Sequence, residues 1–189
     1  MKTKAPNALA FGASLGKRRA LTNDSKEYYE WDDQVIYEDL SPGNKAGGIP
    51  APEEKSLGCV EKGGSRAVVD LLDYGDAVTK SDLSLLNGLG NDIVAATSLF
   101  ATGVHLILFT TGRGTPVGTG VPVLKVATNH SLAERKKNRI DFDASRCLEG
   151  KKLSDELLDL ILRAASGEEA LNEKNGYHEI SIFKDGVTL

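Results

Sequence analysis

Residues 92–127, DIVAATSLFATGVHLILFTTGRGTPVGTGVPVLKVA, restrict the fold more than any other part of the chain. Segment 92–102 carries one charge, Asp92, in its first turn, where an acidic side chain suits the helix dipole. The rest of that segment is apolar or small all round, and a helix without a polar face must be buried on most sides. Gly103 can end it. VHLILFTT (104–111) then reads as a continuous apolar strand, of the kind found inside a parallel sheet covered on both faces. VPVLKVA (121–127) reads as the next strand, with Pro122 tolerable only at its start. With LSLL (83–86) as an earlier strand, NGLG (87–90) as a turn and Asn91 as helix cap, the middle of the chain reads as a βαβ unit. The expected fold class is α/β, a mostly parallel sheet flanked by helices.

The flanks are less regular. Residues 1–40 hold mixed charges and the aromatic cluster EYYEW (27–31) without clean periodicity, and read as a weakly ordered arm or a short helix. SPGNKAGGIPAP is dense in glycine and proline and must be a loop, and a short helix over EEKSLGCVEK is expected after it. SRAVVDLLDYG has Ser65 as a cap, apolar residues at 68, 69, 71 and 72, and Gly75 as a stop, so the spacing predicts a helix. HSLAERKKN (130–138) reads as a short surface helix. SDELLDLILRAAS (154–166) reads as an amphipathic helix with its stripe at Leu157, Leu158, Ile161, Leu162 and Ala165, stopped by Gly167. HEISIFK (178–184) alternates as a last strand should.

Charge and composition exclude several classes of function. The 189 residues carry a formal charge of −4, which points to neither nucleic acid nor a membrane surface as a partner. No apolar run is long enough to span a bilayer, and the glycine-broken start followed by Lys17, Arg18 and Arg19 does not read as a secretory signal. Two cysteines, Cys59 and Cys147, without a CxxC, fit a reducing cytoplasm, with Cys59 as a small buried group. The three histidines form no zinc pattern. His105, opening a strand, is expected to be a hydrogen-bonded core residue, and His130 and His178 are given no role.

The loop TTGRGTPVGTG leaves the carboxyl end of a strand, where open α/β sheets bind ligands. Its glycines let backbone amides approach an anion, its threonines add hydroxyls, and Arg113 offers a rigid fork suited to carboxylate or phosphate. The alternative is a tight connection with a solvated Arg113. It is not a P-loop, since no GKS or GKT closes it, and it does not match GxGxxG. Lys45 among glycines is either a base or clamp, or a solvated loop charge. Glu54 beside Lys55 is either a metal carboxylate or half of an exposed pair. Asn91 and Asp92 either offer oxygens to a hard cation or cap a helix.

Taken in order, SPGNKAGGI, EEKSLG, GNDIVAATSLFATGVHLILFTTGRGTPVG, KVATN, IDFDAS and NEKNGYHEISIFKDGVTL resemble the carboxy-terminal part of the altronate/galactarate dehydratase family over residues 41–189, with 1–40 as a poorly matched arm. SPGNKAGG and IFKDGVTL lean towards the altronate branch. The resemblance implies a Rossmann-like variant fold and a hydro-lyase that removes water from a sugar acid, taking D-altronate to 2-dehydro-3-deoxy-D-gluconate with ferrous iron. Mn²⁺ or Mg²⁺ are alternative cations. The resemblance implies a small β-rich amino-terminal domain upstream, and the expectation is of a truncated piece or a short relative without it.

Such an elimination removes a proton next to a carboxylate and builds up an enediolate, which needs positive charge placed in advance. A divalent cation meets that need as a Lewis acid. On that chemistry Arg113, with the Gly112–Gly114 amides, is the candidate to hold the substrate carboxylate, and Asn44, Thr110 and Thr111 are the candidates for the substrate hydroxyls. Lys45 or Lys55 is the candidate base, and Glu54, Asn91 and Asp92 are the candidate metal ligands, with Glu173 and Glu179 as a second choice. A cytoplasmic homodimer acting on a small-molecule sugar acid is the expectation. A non-catalytic sugar-acid-binding or dimerisation fragment and a phosphate- or nucleotide-binding module are the alternatives.

Overall fold

The computed structural model describes residues 8–11 (as backbone), 62–86, 88 and 92–182. The chain divides into two compact units, residues 1–102 with 182–189, and Gly103–Ser181. The first contains a three-stranded sheet made of β1 (Ala8–Phe11), β2 (Val68–Leu72) and β3 (Asp82–Leu86), in the order β1-β3-β2 and parallel throughout. Helix α1 (Asp92–Ala101) belongs to this unit and buries Val94, Ala96, Thr97 and Ser98, as its lack of a polar face requires. Gly103 follows in the left-handed conformation, φ +89°, and stops it.

Two expectations change here. Val68–Leu72 is a strand, not part of a helix. Apolar residues at 68, 69, 71 and 72 satisfy either period over so short a run, and the adjacent β-branched valines and the pairing with β3 decide it. The βαβ reading joined strands that lie in separate sheets, since β3 pairs with β1 and β2 whereas β4 pairs with β5.

The second unit is built on β4 (Ile107–Thr111), β5 (Val123–Ala127) and β6 (Phe142–Asp143), again parallel and in chain order. Helix α2 (His130–Arg135) connects β5 to β6. A 3-10 helix over Ala144–Glu149, α3 (Ser154–Ala165) and α4 (Leu171–Lys174) complete it. The doubly covered strand is β5, all five of whose residues are buried, and not β4, which lies at the sheet edge with Leu108 exposed. Leu124 and Val126 meet α3, Phe142, Leu153 and Ala170 on one face, while Ala127 joins Leu132 and Ile140 in another cluster.

The α3 stripe is rotated from the expected one. Leu157, Leu160, Ile161 and Ala164 meet the sheet, whereas Leu158 and Leu162 are 52% and 55% exposed. Residues 178–182 form no strand, and Ile180 and Ile182 are exposed, because no partner strand accepts their backbone groups among the described residues. His105 is exposed rather than in the core. Cys59 lies outside the described residues. No helix among the described residues is long and apolar enough to cross a membrane.

β6 pairs with β5 only at Val126 and Ala127, so the amino-terminal half of β5 lacks a strand on that side. Side chains replace it. Asn172 Oδ1 accepts the Val123 amide at 3.0 Å, and Asp141 Oδ2 accepts the Lys125 amide at 2.8 Å. Buried Asn172 also donates to the Tyr177 carbonyl at 3.3 Å, which seats segment 172–177 against the sheet. Gly118 allows that approach, because a Cβ there would overlap the Tyr177 carbonyl. Replacing Asn172 by Ala leaves buried backbone groups unpaired, and an unfolding titration should show a loss of about 2–4 kcal/mol.

Candidate functional site

The three parallel strands of the second unit end at Thr111, Ala127 and Asp143, so the loops that follow share one rim of the sheet. That rim is tied together by hydrogen bonds. Thr128 donates to the Thr111 carbonyl through its amide (3.1 Å) and its hydroxyl (3.3 Å), and Asn129 Nδ2 donates to the Gly112 carbonyl at 3.0 Å. Asn129 Oδ1 also caps α2 by accepting the Leu132 amide at 2.9 Å. Lys136 Nζ donates to the carbonyls of Arg113 (2.6 Å) and Gly114 (3.2 Å). Gly114 sits at φ +71°, where a Cβ would also press on Leu132 and Lys136, so no other residue fits that turn without strain.

Within this loop Arg113 is exposed, and its guanidinium makes no hydrogen bond or ion pair with the described residues. The amides behave differently. Those of Arg113 (3.2 Å) and Gly114 (2.8 Å) both donate to Thr111 Oγ1, and Thr111 is itself buried. The Thr111 hydroxyl therefore shapes the turn, and the rim offers solution a charged fork and the exposed Thr110 in place of a cradle of free amides. Asp92 is exposed in the first turn of α1. Asn44, Lys45, Glu54, Lys55 and Asn91 lie outside the described residues. Of the second-choice ligands, Glu173 uses Oε2 to accept the Ala170 amide at 2.8 Å, and Glu179 is exposed. Among the described residues no three His, Cys, Asp or Glu side chains come together to hold a metal ion.

The rim also holds a pair that the sequence reading passed over. His130 Nδ1 lies 3.0 Å from Asp143 Oδ2, and Asp143 Oδ1 accepts from the Ser145 amide (3.0 Å) and hydroxyl (2.6 Å). The hydrogen bond to Asp143 raises the His130 pKa above its ordinary value. Burial opposes ionisation of Asp143, but the bonds from Ser145 and His130 outweigh it and hold the carboxyl below its usual range.

A groove of about 670 Å³ beside α3 is a poor host for an anionic substrate. Its acidic side chains, Asp141, Asp143, Glu156 and Asp159, outnumber Arg146 and Arg163, and both arginines are already paired, with Glu156 at 2.7 Å and Glu168 at 3.2 Å.

The residue that sequence reasoning missed outright is Lys125. It is the middle residue of β5, 0% exposed, and its Nζ has no hydrogen-bond partner among the described residues. The visible signal was a lone cation inside an apolar strand, VPVLKVA. Burial lowers its pKa, against the pull of Asp141. The Asp141 carboxyl is itself raised by burial, an effect partly offset by the amides of Leu171 and Lys125 that it accepts.

With this geometry described, comparison with known proteins decides the lineage. The D-galactarate/altronate dehydratase C-terminal domain matches residues 13–188. The chain belongs to that family. It is 49% identical over 180 residues to altronate dehydratase of Escherichia coli strain K12, covering 94% of this chain and 36% of that protein. It is 47% identical over 173 residues to altronate dehydratase of Bacillus subtilis strain 168, covering 89% and 35%. It is 37% identical over 150 residues to galactarate dehydratase (L-threo-forming) of E. coli, covering 76% and 29%. The chain thus spans about a third of the length of these relatives. As in that family assignment, the loop carrying Arg113 and the strand carrying Lys125 both fall inside the matched region.

The Lys125 burial has a measurable consequence. A lysine with a depressed folded-state pKa binds fewer protons folded than unfolded, so its charge weakens the fold below that pKa and the penalty fades as pH rises towards 10.5. Relative to Lys125→Met, the wild-type chain should gain thermal stability as pH is raised from 7 towards 10. Parallel curves for the two would refute the buried charge.

Proposed function

We propose that this chain takes part in the dehydration of a sugar acid, D-altronate to 2-dehydro-3-deoxy-D-gluconate and water. The observation that carries the reading is the 49% identity to altronate dehydratase over 94% of the chain, combined with an Arg113 guanidinium that is unpaired among the described residues on the carboxyl rim of a parallel sheet. In this reading Arg113 holds the substrate carboxylate through its two-pronged guanidinium, and exposed Thr110 bonds a substrate hydroxyl. Thr111, Gly112 and Gly114 shape the loop, with Lys136 and Asn129 fixing its carbonyls so that the guanidinium is presented from a rigid base. Asn44 serves a second substrate hydroxyl, and Lys45 or Lys55 accepts the proton adjacent to the carboxylate.

Ferrous iron, or Mn²⁺ or Mg²⁺ in its place, belongs to this reading with Glu54, Asn91 and Asp92 as ligands. The described residues by themselves assemble no such donor set. The fold is read as the Rossmann-like variant, and the protein as a cytoplasmic homodimer that binds neither nucleic acid nor membrane. The second reading is a non-catalytic domain that binds the sugar acid through Arg113, or dimerises, without turning the acid over.

Incubation of the chain with Fe²⁺ and D-altronate under reducing conditions, following the keto-deoxy acid, tests the first reading. Arg113→Ala should lower kcat/KM by about tenfold to a hundredfold while leaving the melting temperature nearly unchanged, because the side chain is exposed. Altronate binding without turnover would support the second reading, and the absence of both would reject the pair.

A further inference from the structure

Lys125 is not explained by packing. A methionine or leucine would fill the middle of a central strand without carrying a charge out of water, and replacing buried ions with apolar groups is often neutral or stabilising. The usual compensation is missing as well. Asp141, the carboxylate that pulls most on it, spends both carboxylate oxygens on the backbone amides of Lys125 and Leu171. What the ammonium faces is the ring of Tyr177, with Nζ 5.5 Å from its centroid.

A second cation faces the same ring. The Arg139 guanidinium carbon lies 5.9 Å from the Tyr177 centroid, and that side chain makes no hydrogen bond or ion pair with the described residues. Two cations therefore share one ring, neither with a hydrogen-bonded counter-ion among the described residues, and each makes the other less favourable. The carboxylate that pulls on Lys125 from the tail, Glu179, is exposed to solvent. Such an arrangement is poised for a negatively charged visitor. Tyr177 is only partly buried, so a change of its side-chain rotamer can uncover the amine.

We infer that Lys125, with Arg139, forms an oxyanion-binding site under Tyr177, separate from the Arg113 loop and made for a small carboxylate or phosphate group. It lies below the rim: Lys125 aligns with Phe109, four residues before Arg113. The site needs no metal and does not depend on the dehydratase reading. An entering anion would exchange the weak ring contact for charge-assisted hydrogen bonds to Nζ and the guanidinium, and Asp141 and Asn172 hold the surrounding backbone in place.

The test is thermal unfolding and calorimetric titration of the full chain with acetate, D-altronate or inorganic phosphate, each against sodium chloride at equal ionic strength. The expected result is a rise in melting temperature with at least one of the three. Its dissociation constant should weaken at least tenfold in Lys125→Met and in Arg139→Ala, and should be largely restored by Lys125→Arg. A response to the two carboxylates only, or to phosphate only, fixes the class of ligand. Should Lys125→Met fail to fold, Lys125→Gln carries the same comparison. Equal anion binding by wild type and the charge-removing variants, or no response of the wild type to any of the three, overturns the site.

Discussion

Strand β5 has to be covered on both faces and satisfied on both edges, and most of the second unit follows from that requirement. Its five residues are all buried, yet the strand on one side, β6, is only two residues long. A central strand with unpaired amides would leave buried donors unmet. The chain solves this with two side chains recruited from far away in sequence, Asp141 and Asn172, which accept the amides of Lys125 and Val123. Because Asn172 also grips the Tyr177 carbonyl, the same solution folds the tail back over the sheet and places an aromatic ring above the buried lysine. Strand satisfaction and the electrostatics of Lys125 thus come from one set of contacts.

The elements legible in the sequence are those whose signal is local. Helix α1 is announced by an uncharged stretch with Asp92 at its start and Gly103 at its end, and α3 by an acidic first turn and Gly167 after it. The errors arise where a partner decides. Residues 68, 69, 71 and 72 fit either period, and only pairing with β3 makes them a strand. HEISIFK alternates well, but over 178–182 it has no neighbour to pair with, so alternation produces no ladder. On α3 the stripe shifts by part of a turn, because Leu160 and Ala164 match the groove offered by Leu124 and Ala170 better than Leu158 and Leu162 do.

The loop geometry of the candidate site was legible only in part. The loop after β4 could be picked out from its glycines and from Arg113, and the structure shows why the glycines are there. Gly114 takes a left-handed turn against Leu132 and Lys136, while Gly118, further along, lets the Tyr177 backbone through. What no linear pattern displays is the use to which each polar atom is put. Thr111 looks like a ligand hydroxyl in sequence, but it is the acceptor that closes the turn. Lys125 looks like one charge among many, and becomes distinctive only once all five residues of β5 are known to be buried.

Arg113 and Lys125 divide the positive charge of this unit into two kinds. An exposed guanidinium attracts and orients an anion, but water screens it, and pairs formed at such positions contribute little free energy. A buried amine is costly to keep, and for the same reason any charge that reaches it is felt strongly, since the surroundings do not reorganise to weaken the field. A chain selected for stability alone would have replaced the second and could have kept the first at little cost. The buried one lies in the most enclosed strand of the unit, and the carboxylate that pulls most on it, Asp141, is occupied by backbone amides, so its charge is left without the compensation that an exposed guanidinium gets from water.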